Sequence, residues 1–477
     1  AYMAVQPLDF SDKVVTATLV TESGSYTAPV TSRVINKGKA AFLRFSDDFT
    51  PVNIEFADAE VKRICVENWD TNGDGELSYK EAAAVTDLGT VFKKNNVIKT
   101  FDELEFFTGL TEIARSAFGQ SSLTSVIIPP NVTVIGSDSF SLSKLITVKL
   151  PESLHSIGGC AFESTQLHYI DIPDNVIKID YFSFYDCRNL ECFSGKFASS
   201  DGNSLVVDGK LIAIAPAGIS EYIIPSDVRI IGPGSVINPN GNIKRIIIPE
   251  GVEHLAPSAI ISCKGITEMF IPNTLEIILE GGHFCYCDNL RQFTGKYASD
   301  DARCLIVNGS LVTVATSGLT EFVVPENVTI IGSYAFYYAS NITSIILPEG
   351  VAEIGQFAFE SCGIRHITLP SSLKIIGPDS FRSCKSLSEL VIPSGVETIY
   401  SNAFEGCTGL NKITVNIQTP FAISESVFAN TNNCPIYVPN ESLEAYKTTQ
   451  GWSAYADRIF GIDVEGSVVG PGVENPD

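Results

Sequence analysis

A chain of 477 residues is long enough for about three ordinary domains or for one repeat array. Charged residues make up 18% of it and hydrophobic ones 44%, enough to bury a large core, which excludes a wholly disordered chain. Against 55 Asp and Glu stand only 32 Lys and Arg, a net charge of -23, so nucleic acid and anionic membranes are poor partners.

Residues 1–55 alternate polar and apolar side chains, as from Val14 to Val20, and predict a few strands. The opening residues carry no basic stretch before an apolar core, so the expectation is a cytosolic protein or one whose export signal has been removed. Nowhere does an apolar run reach the 18 or more residues that a membrane-spanning helix needs.

Residues 56–100 predict a helix, a loop and a helix. Val61, Ile64, Cys65 and Trp69 fall near helical spacing, and Tyr79 to Val85 can continue a second helix. Between them Asp70 to Glu81 fits the twelve-residue EF-hand pattern. A calcium ion would take oxygens from Asp70, Asn72, Asp74, the Glu76 carbonyl, Ser78 through water, and Glu81. Gly75 permits the sharp turn. Only one such loop is found, so the expected role is a structural ion that stiffens a cap near Phe101 to Leu110. The alternative is an acidic loop that holds no ion.

From residue 101 to 435 a repeat takes over. An apolar-x-apolar-Pro signature recurs with its proline at 129, 151, 173, 225, 249, 272, 325, 348, 370 and 393. The spacing is 22–24 residues except for two gaps of 52 and 53. An eleventh unit, Leu410 to Asn416, keeps the pattern with Asn416 in place of proline. Apolar residues one and three before the proline have the period of a strand, and proline, lacking an N–H, ends it. Apolar residues three and six after it predict a second short stretch, and an Ala-Phe pair predicts a turn that plugs the core. One such coil cannot bury its own apolar side, so the units must stack.

Both gaps hold the same extra piece. Residues 195–225 and 295–325 agree at 13 of 31 positions. Asp208-Gly209 and Asn308-Gly309 each join two apolar runs, predicting β-hairpins near 191–220 and 291–320 that project from the stack. Residues 436–462, with Leu443, Tyr446 and Trp452, predict a helical cap on the last coil, and 463–477 a flexible acidic tail.

These units resemble the BspA-type leucine-rich repeats of bacterial surface proteins. The resemblance implies a mainly β fold with short helices: a right-handed leucine-rich-repeat solenoid of about eleven coils, with two inserted β-hairpins and capped ends. Ala256 and Leu279 depart from the pattern in replacing its usual glycine.

Six cysteines, Cys187, Cys263, Cys287, Cys362, Cys384 and Cys407, recur just before the Leu or Ile of their unit, three residues before it except at Cys362, which is two before Ile364. Such regularity predicts free buried thiols rather than disulfides or zinc ligands. Five scattered histidines, no nucleophile elbow and no phosphate loop predict no enzyme.

Residues two before each proline should point out of the sheet. Ile223, Ile247, Phe270, Val323 and Ile346 thus predict an outward apolar row over five consecutive coils, flanked by Glu221, Glu268 and Glu321. Strand propensity alone is the other explanation of that row. The resemblance implies a cell-surface or secreted protein that binds host extracellular matrix, host cells or other bacteria; the repeat sheet and hairpins are the expected binding surface, and a monomer the expected state. A calcium-stiffened spacer and a glycan-active protein are the alternatives.

Overall fold

The computed structural model describes the backbone of residues 15–21, 24–30, 50–51, 53–277, 281–462 and 468–469, and side chains of 53–276 and 281–462. Leu279 and most of the tail beyond residue 462 lie outside these. The chain divides into two units, residues 1–207 and 208–477.

In the first unit, Val15–Thr21, Gly24–Val30 and Thr50–Pro51 form an antiparallel sheet, in line with the strands predicted before residue 55. Helix α1 spans Ala59–Trp69. Asp58 starts it, its carboxylate accepting from the N–H groups of Glu60 and Val61 at 2.9 and 3.2 Å. Val61, Ile64 and Cys65 form its buried face. Trp69 sets its ring 5.6 Å from Phe107 and 6.2 Å from Phe92, which fastens the helix over the first coil. Helix α2, Tyr79–Ala84, follows, and its Tyr79 ring meets Phe106 at 4.7 Å.

Then the coils begin, earlier than the first proline of the signature. Each is bonded to the next along three sides. On the first side Thr100–Phe101, Ser125–Ile127 and Thr147–Lys149 pair in parallel, as do Tyr169–Ile172 and Cys192–Gly195. On the second, Glu112–Ile113, Val134–Ile135, Ser156–Ile157 and Lys178–Ile179 pair in turn. On the third, where the Ala-Phe pair lies, the N–H groups of Phe118, Phe140 and Phe162 each donate to the following coil at 2.8 Å. Inside, the rings of Phe118, Phe140, Phe162 and Phe184 stack at 5.2–5.4 Å with interplanar angles of 1–8°.

The second unit repeats the plan. Its longest second-side sheet runs Ser310–Val314, Ile330–Ile331, Glu353–Ile354, Ile375–Ile376 and Thr398–Ile399. Phe336, Phe359, Phe381, Phe404 and Phe428 stack at 4.8–5.5 Å. Helix α3, Leu443–Thr448, together with Trp452, closes the last coil. The Trp452 indole donates to the Phe421 carbonyl at 2.9 Å and the Tyr446 hydroxyl to that of Ile417 at 2.8 Å. Gly451 allows that closure: at φ +81°, a Cβ there would lie 1.9 Å from the Ile423 carbonyl oxygen.

Two expectations are corrected. The long gaps are not bare insertions, because each holds one further coil. Cys192–Gly195 pairs in parallel with Tyr169–Ile172, and Gln292–Gly295 with Glu268–Ile271, so the coils number more than eleven. The signature hides them because Gly195 and Gly295 stand where an apolar residue precedes proline. At φ +87°, a Cβ on Gly295 would come 2.2 Å from the Ile271 carbonyl oxygen.

Nor does the hairpin project. Cys304–Val307 and Ser310–Val314 pair antiparallel across Asn308-Gly309, both with positive φ as such a tight turn requires. Ser310–Val314 then pairs in parallel with Ile330–Ile331 and becomes the second side of the extra coil. Leu305, Leu311, Val312 and Val314 are all buried, and a free hairpin would hold them in water. In the earlier gap the strand Lys210–Ile214 likewise pairs in parallel with Ile230–Ile231.

All twelve thiols are free, nine of them buried. Their recurrence has a hydrogen-bonding reason. The thiols of Cys187, Cys384 and Cys407 donate to the carbonyls of Phe162, Phe359 and Phe381 in the preceding coil at 3.0–3.1 Å. Burial pushes the Cys187 thiol up to about 11 and Cys362 up to about 12. At pH 8 a thiol-specific reagent should therefore leave these buried cysteines unmodified until denaturant is added; rapid native labelling of Cys384 or Cys407 would contradict this packing. Phe381→Ala should destabilise the second unit by about 3–5 kcal/mol in urea unfolding, since it opens a gap in the ring stack.

Candidate functional site

Two places carry the residues singled out from the sequence. The first is the loop between α1 and α2. Its turn is drawn by side chains onto backbone: Asp70 accepts from Gly73 and Gly75 at 2.7 and 2.9 Å, Asn72 from Asp74 at 2.8 Å, and Asp74 from Glu76 at 2.9 Å. Gly73 and Gly75 take positive φ. Glu81 is buried and ties both ends together. One of its oxygens accepts from the N–H groups of Thr71 and Asn72 and the Thr71 hydroxyl, the other from the N–H and hydroxyl of Ser78. Burial works to raise its pKa, but the bonds from Ser78 and Thr71 outweigh it and hold the carboxyl down at about 2.

Glu81 is thus an anion at neutral pH. Side-chain oxygens of Asp70, Asn72, Asp74 and Ser78 line the same turn, and Glu76 adds its main chain while its carboxylate pairs with Lys62 at 2.7 Å. This all-oxygen donor set suits a hard cation. The acidic groups of Asp70, Asp74 and Glu81 do not, however, converge within 4.8 Å of one another; their oxygens face loop N–H groups. Where EF-hand loops pair with one another, this loop pairs with its own chain: the Ile54 N–H donates to Leu77 at 2.8 Å, beside a bridge between Asn53 and Ser78.

Among the described residues one set of three possible metal-ligating groups does converge: Asp138, Cys160 and Glu163. Asp138 is paired with Arg115 at 3.0 Å and Glu163 accepts from Ser141 at 3.0 Å. Burial, then the charges of Glu163 and Asp138, push the Cys160 thiol up to about 11, so it keeps its proton at neutral pH. Sequence reading missed this set because its members come from two adjacent coils and share no motif.

The second place is the outer face of the first side in the second unit. Ile223, Phe270, Val323 and Ile346 are 47–62% exposed, while their neighbours Tyr222, Met269, Phe322 and Ile345 are buried. Parallel pairing sets Ile223 beside Ile247, and Val323 beside Ile346. The row differs from expectation in two respects. Ile247 is only half-exposed. The row is also not five consecutive coils, since the strand Gln292–Gly295 brings Thr294 beside Phe270. Glu221, Glu268 and Glu321 are exposed along it. Glu221 reaches Arg245 at 3.4 Å and Glu268 accepts from Gln292 at 2.9 Å; Glu321 flanks Val323. The hairpin does not fold over the row, because its strands belong to the second side.

A comparison with protein families matches the BspA type leucine rich repeat region in six copies over residues 91–194, 216–299 and 314–435. No curated protein matches. Among solved structures, a leucine rich cell surface protein from Faecalibacterium prausnitzii shares 22% identity over 69% of this chain and 82% of its own, with a TM-score of 0.44. The pneumococcal vaccine antigen PcpA shares 17% over 78% of this chain and 90% of its own, at 0.42. A leucine-rich repeat protein from Bacteroides ovatus shares 26% over 67% and 79%, at 0.34. Among the described residues, no helix is long and apolar enough to cross a membrane.

The exposures lead to a direct check. Phe270→Ser should change unfolding free energy by no more than about 0.5–1 kcal/mol, as exposed sites do. Met269→Ser, one residue away and fully buried, should cost about 2–5 kcal/mol.

Proposed function

The chain belongs to the BspA type leucine rich repeat family, and on that premise we propose that it is a non-enzymatic binding protein of the bacterial surface or secreted fraction. Its partner is a protein, of the host matrix, a host cell or another bacterium. The observation that carries this reading is the outward row of Ile223, Ile247, Phe270, Val323 and Ile346. Large apolar side chains recur on neighbouring strands where water would otherwise select polar ones. Glu221, Glu268 and Glu321 beside them favour a partner segment that joins apolar anchors to basic residues.

Binding to immobilised matrix proteins, compared between the native chain and Phe270→Ser/Ile247→Ser, tests the reading. The double variant should lose at least tenfold in affinity while its melting temperature stays close to the native one. Equal binding by both chains would remove the row from any role in recognition.

Calcium is the second part of the proposal. Asp70, Asn72, Asp74, the Glu76 carbonyl, Ser78 and Glu81 would hold it, with the Glu81 carboxylate exchanging loop N–H donors for the ion. Its effect would be to lock α1 and α2 against the first coil, through Trp69 and Tyr79. A bound ion stabilises by mass action, by about 2.7 kcal/mol at a hundredfold excess over its Kd. Calorimetry should therefore register one calcium ion per chain, and a chelator should lower the melting temperature. Asp70→Ala and Glu81→Gln should abolish both effects; an unchanged melting temperature in chelator would end this part of the proposal.

A further inference from the structure

The third side of the coils makes an unusual demand on its residues. In most coils with a core phenylalanine, the residues two before and two after it take left-handed backbone, which lets alternate N–H groups point at the next coil. Asp138, Asp186, Asp379, Asn402, Ser164, Ser361 and Ser383 occupy such positions, as do Gly282 and Gly406. Short polar side chains and glycine tolerate that conformation; bulky ones do so at a cost, and strain of this kind gathers where function requires it.

Leu142 and Phe182 break this rule singly in the first unit, at φ +59° and +65°, and in one stretch of the second unit it is broken four times by aromatic residues. Tyr286, Tyr334, Tyr338 and Phe357 all have φ between +55° and +63°. With Tyr337 they form one cluster. The Tyr337 ring lies 4.6 Å from Tyr338, 5.2 Å from Tyr334 and 5.7 Å from Tyr286, all edge to face, and Tyr334 lies 5.0 Å from Phe357. The four tyrosines line a concavity of about 340 Å³, with Tyr286 38% and Tyr338 46% exposed. That volume lies in the lower part of the range of small-molecule clefts, about 300–1,000 Å³.

We propose that this tyrosine cleft binds neutral carbohydrate, with a pyranose ring laid on the exposed phenol rings. Apolar C–H faces of a sugar suit the negative face of an aromatic ring, and its hydroxyls need polar partners around the rim. The rim supplies them: the Tyr286 hydroxyl, which donates to that of Tyr337 at 3.4 Å, the exposed Ser340, and the Asp288 carboxylate. Burial raises the pKa of Tyr286 and Tyr337, so both phenols stay protonated: Tyr337 keeps its O–H to donate, and the Tyr286 oxygen, its own proton given to Tyr337, can accept. Asp288 is the only charged residue of the lining, which disfavours anionic sugars and phosphate esters. The lining itself holds one carboxylate where glycoside hydrolysis uses a pair, and the proposal is for binding alone. A proline-rich peptide is less favoured, since it requires parallel slots along a groove rather than rings packed edge to face about one hollow.

The test is a titration of the full chain with maltohexaose, cellohexaose, mannohexaose, linear galactan and N-acetyllactosamine oligomers, and with decaproline as control. At least one of the neutral glycans should bind. Tyr286→Asn and Tyr338→Asn should each weaken it at least tenfold. Because asparagine accepts left-handed backbone, the melting temperature of each variant should equal or exceed that of the native chain. Phe270→Ser, on the first side, should leave glycan binding unchanged whatever it does to protein binding, so this inference and the one above fail separately. Absence of binding to every glycan, retention of binding in both asparagine variants, or binding of decaproline alone would overturn it.

Discussion

Within each unit the structure depends on one constraint: every coil must meet the next at the spacing of backbone hydrogen bonds, on three sides at once. Whatever fills the interior must repeat at that distance. A flat ring does so with little adjustment, and Phe359, Phe381 and Phe404 stack at 4.8 and 5.2 Å. The thiols follow from the same constraint. The carbonyl of each such ring residue accepts the N–H three residues on, and its second lone pair is reached by the S–H of the next coil, as Phe359 accepts from Cys362 and then from the Cys384 thiol. Cysteine is small enough to fit there and apolar enough to be buried.

A stack held this way leaves its outward positions unconstrained by the core. On the first side they admit Ile223, Phe270 and Val323 as readily as Lys149 or Asp171, since none of these touches the interior. On the third side the freedom is narrower, because the backbone there is left-handed. Aromatic residues at 286, 334, 338 and 357 are admitted against a conformational cost, which is why their gathering around one hollow carries more meaning than an exposed isoleucine on a strand.

The ends follow a different logic. An open coil exposes unpaired strand and core, and each unit covers one with helix and large aromatics: Trp69 of α1 over Phe107 in the first unit, Trp452 over Phe428 in the second. The acidic loop lies within the first of these covers. Its bond from Ile54 and the bridge between Asn53 and Ser78 tie it to the segment before α1, so its hydrogen bonds hold a local structure rather than poise a pair of loops to open.

Much of this was legible in the amino-acid order. The proline period, the apolar residues one and three before it, the Ala-Phe pair and the recurring cysteine identify the coil, its buried positions and its free thiols, because each is imposed afresh in every repeat. The spacing of oxygen-bearing residues from Asp70 to Glu81 identifies a loop between two helices, because the motif is local. Three features were decided only by tertiary structure. The coils at Cys192–Gly195 and Gln292–Gly295 carry glycine where the period shows an apolar residue and proline, so only their pairing with neighbouring strands reveals them. The strand Ser310–Val314 reads as half of a free hairpin, yet it belongs to the second side, because its burial on both faces requires a neighbour that is distant along the chain. The tyrosine cleft draws Tyr286 and Tyr338 together from residues 52 apart in sequence, and no local pattern marks side chains brought into contact by stacking coils.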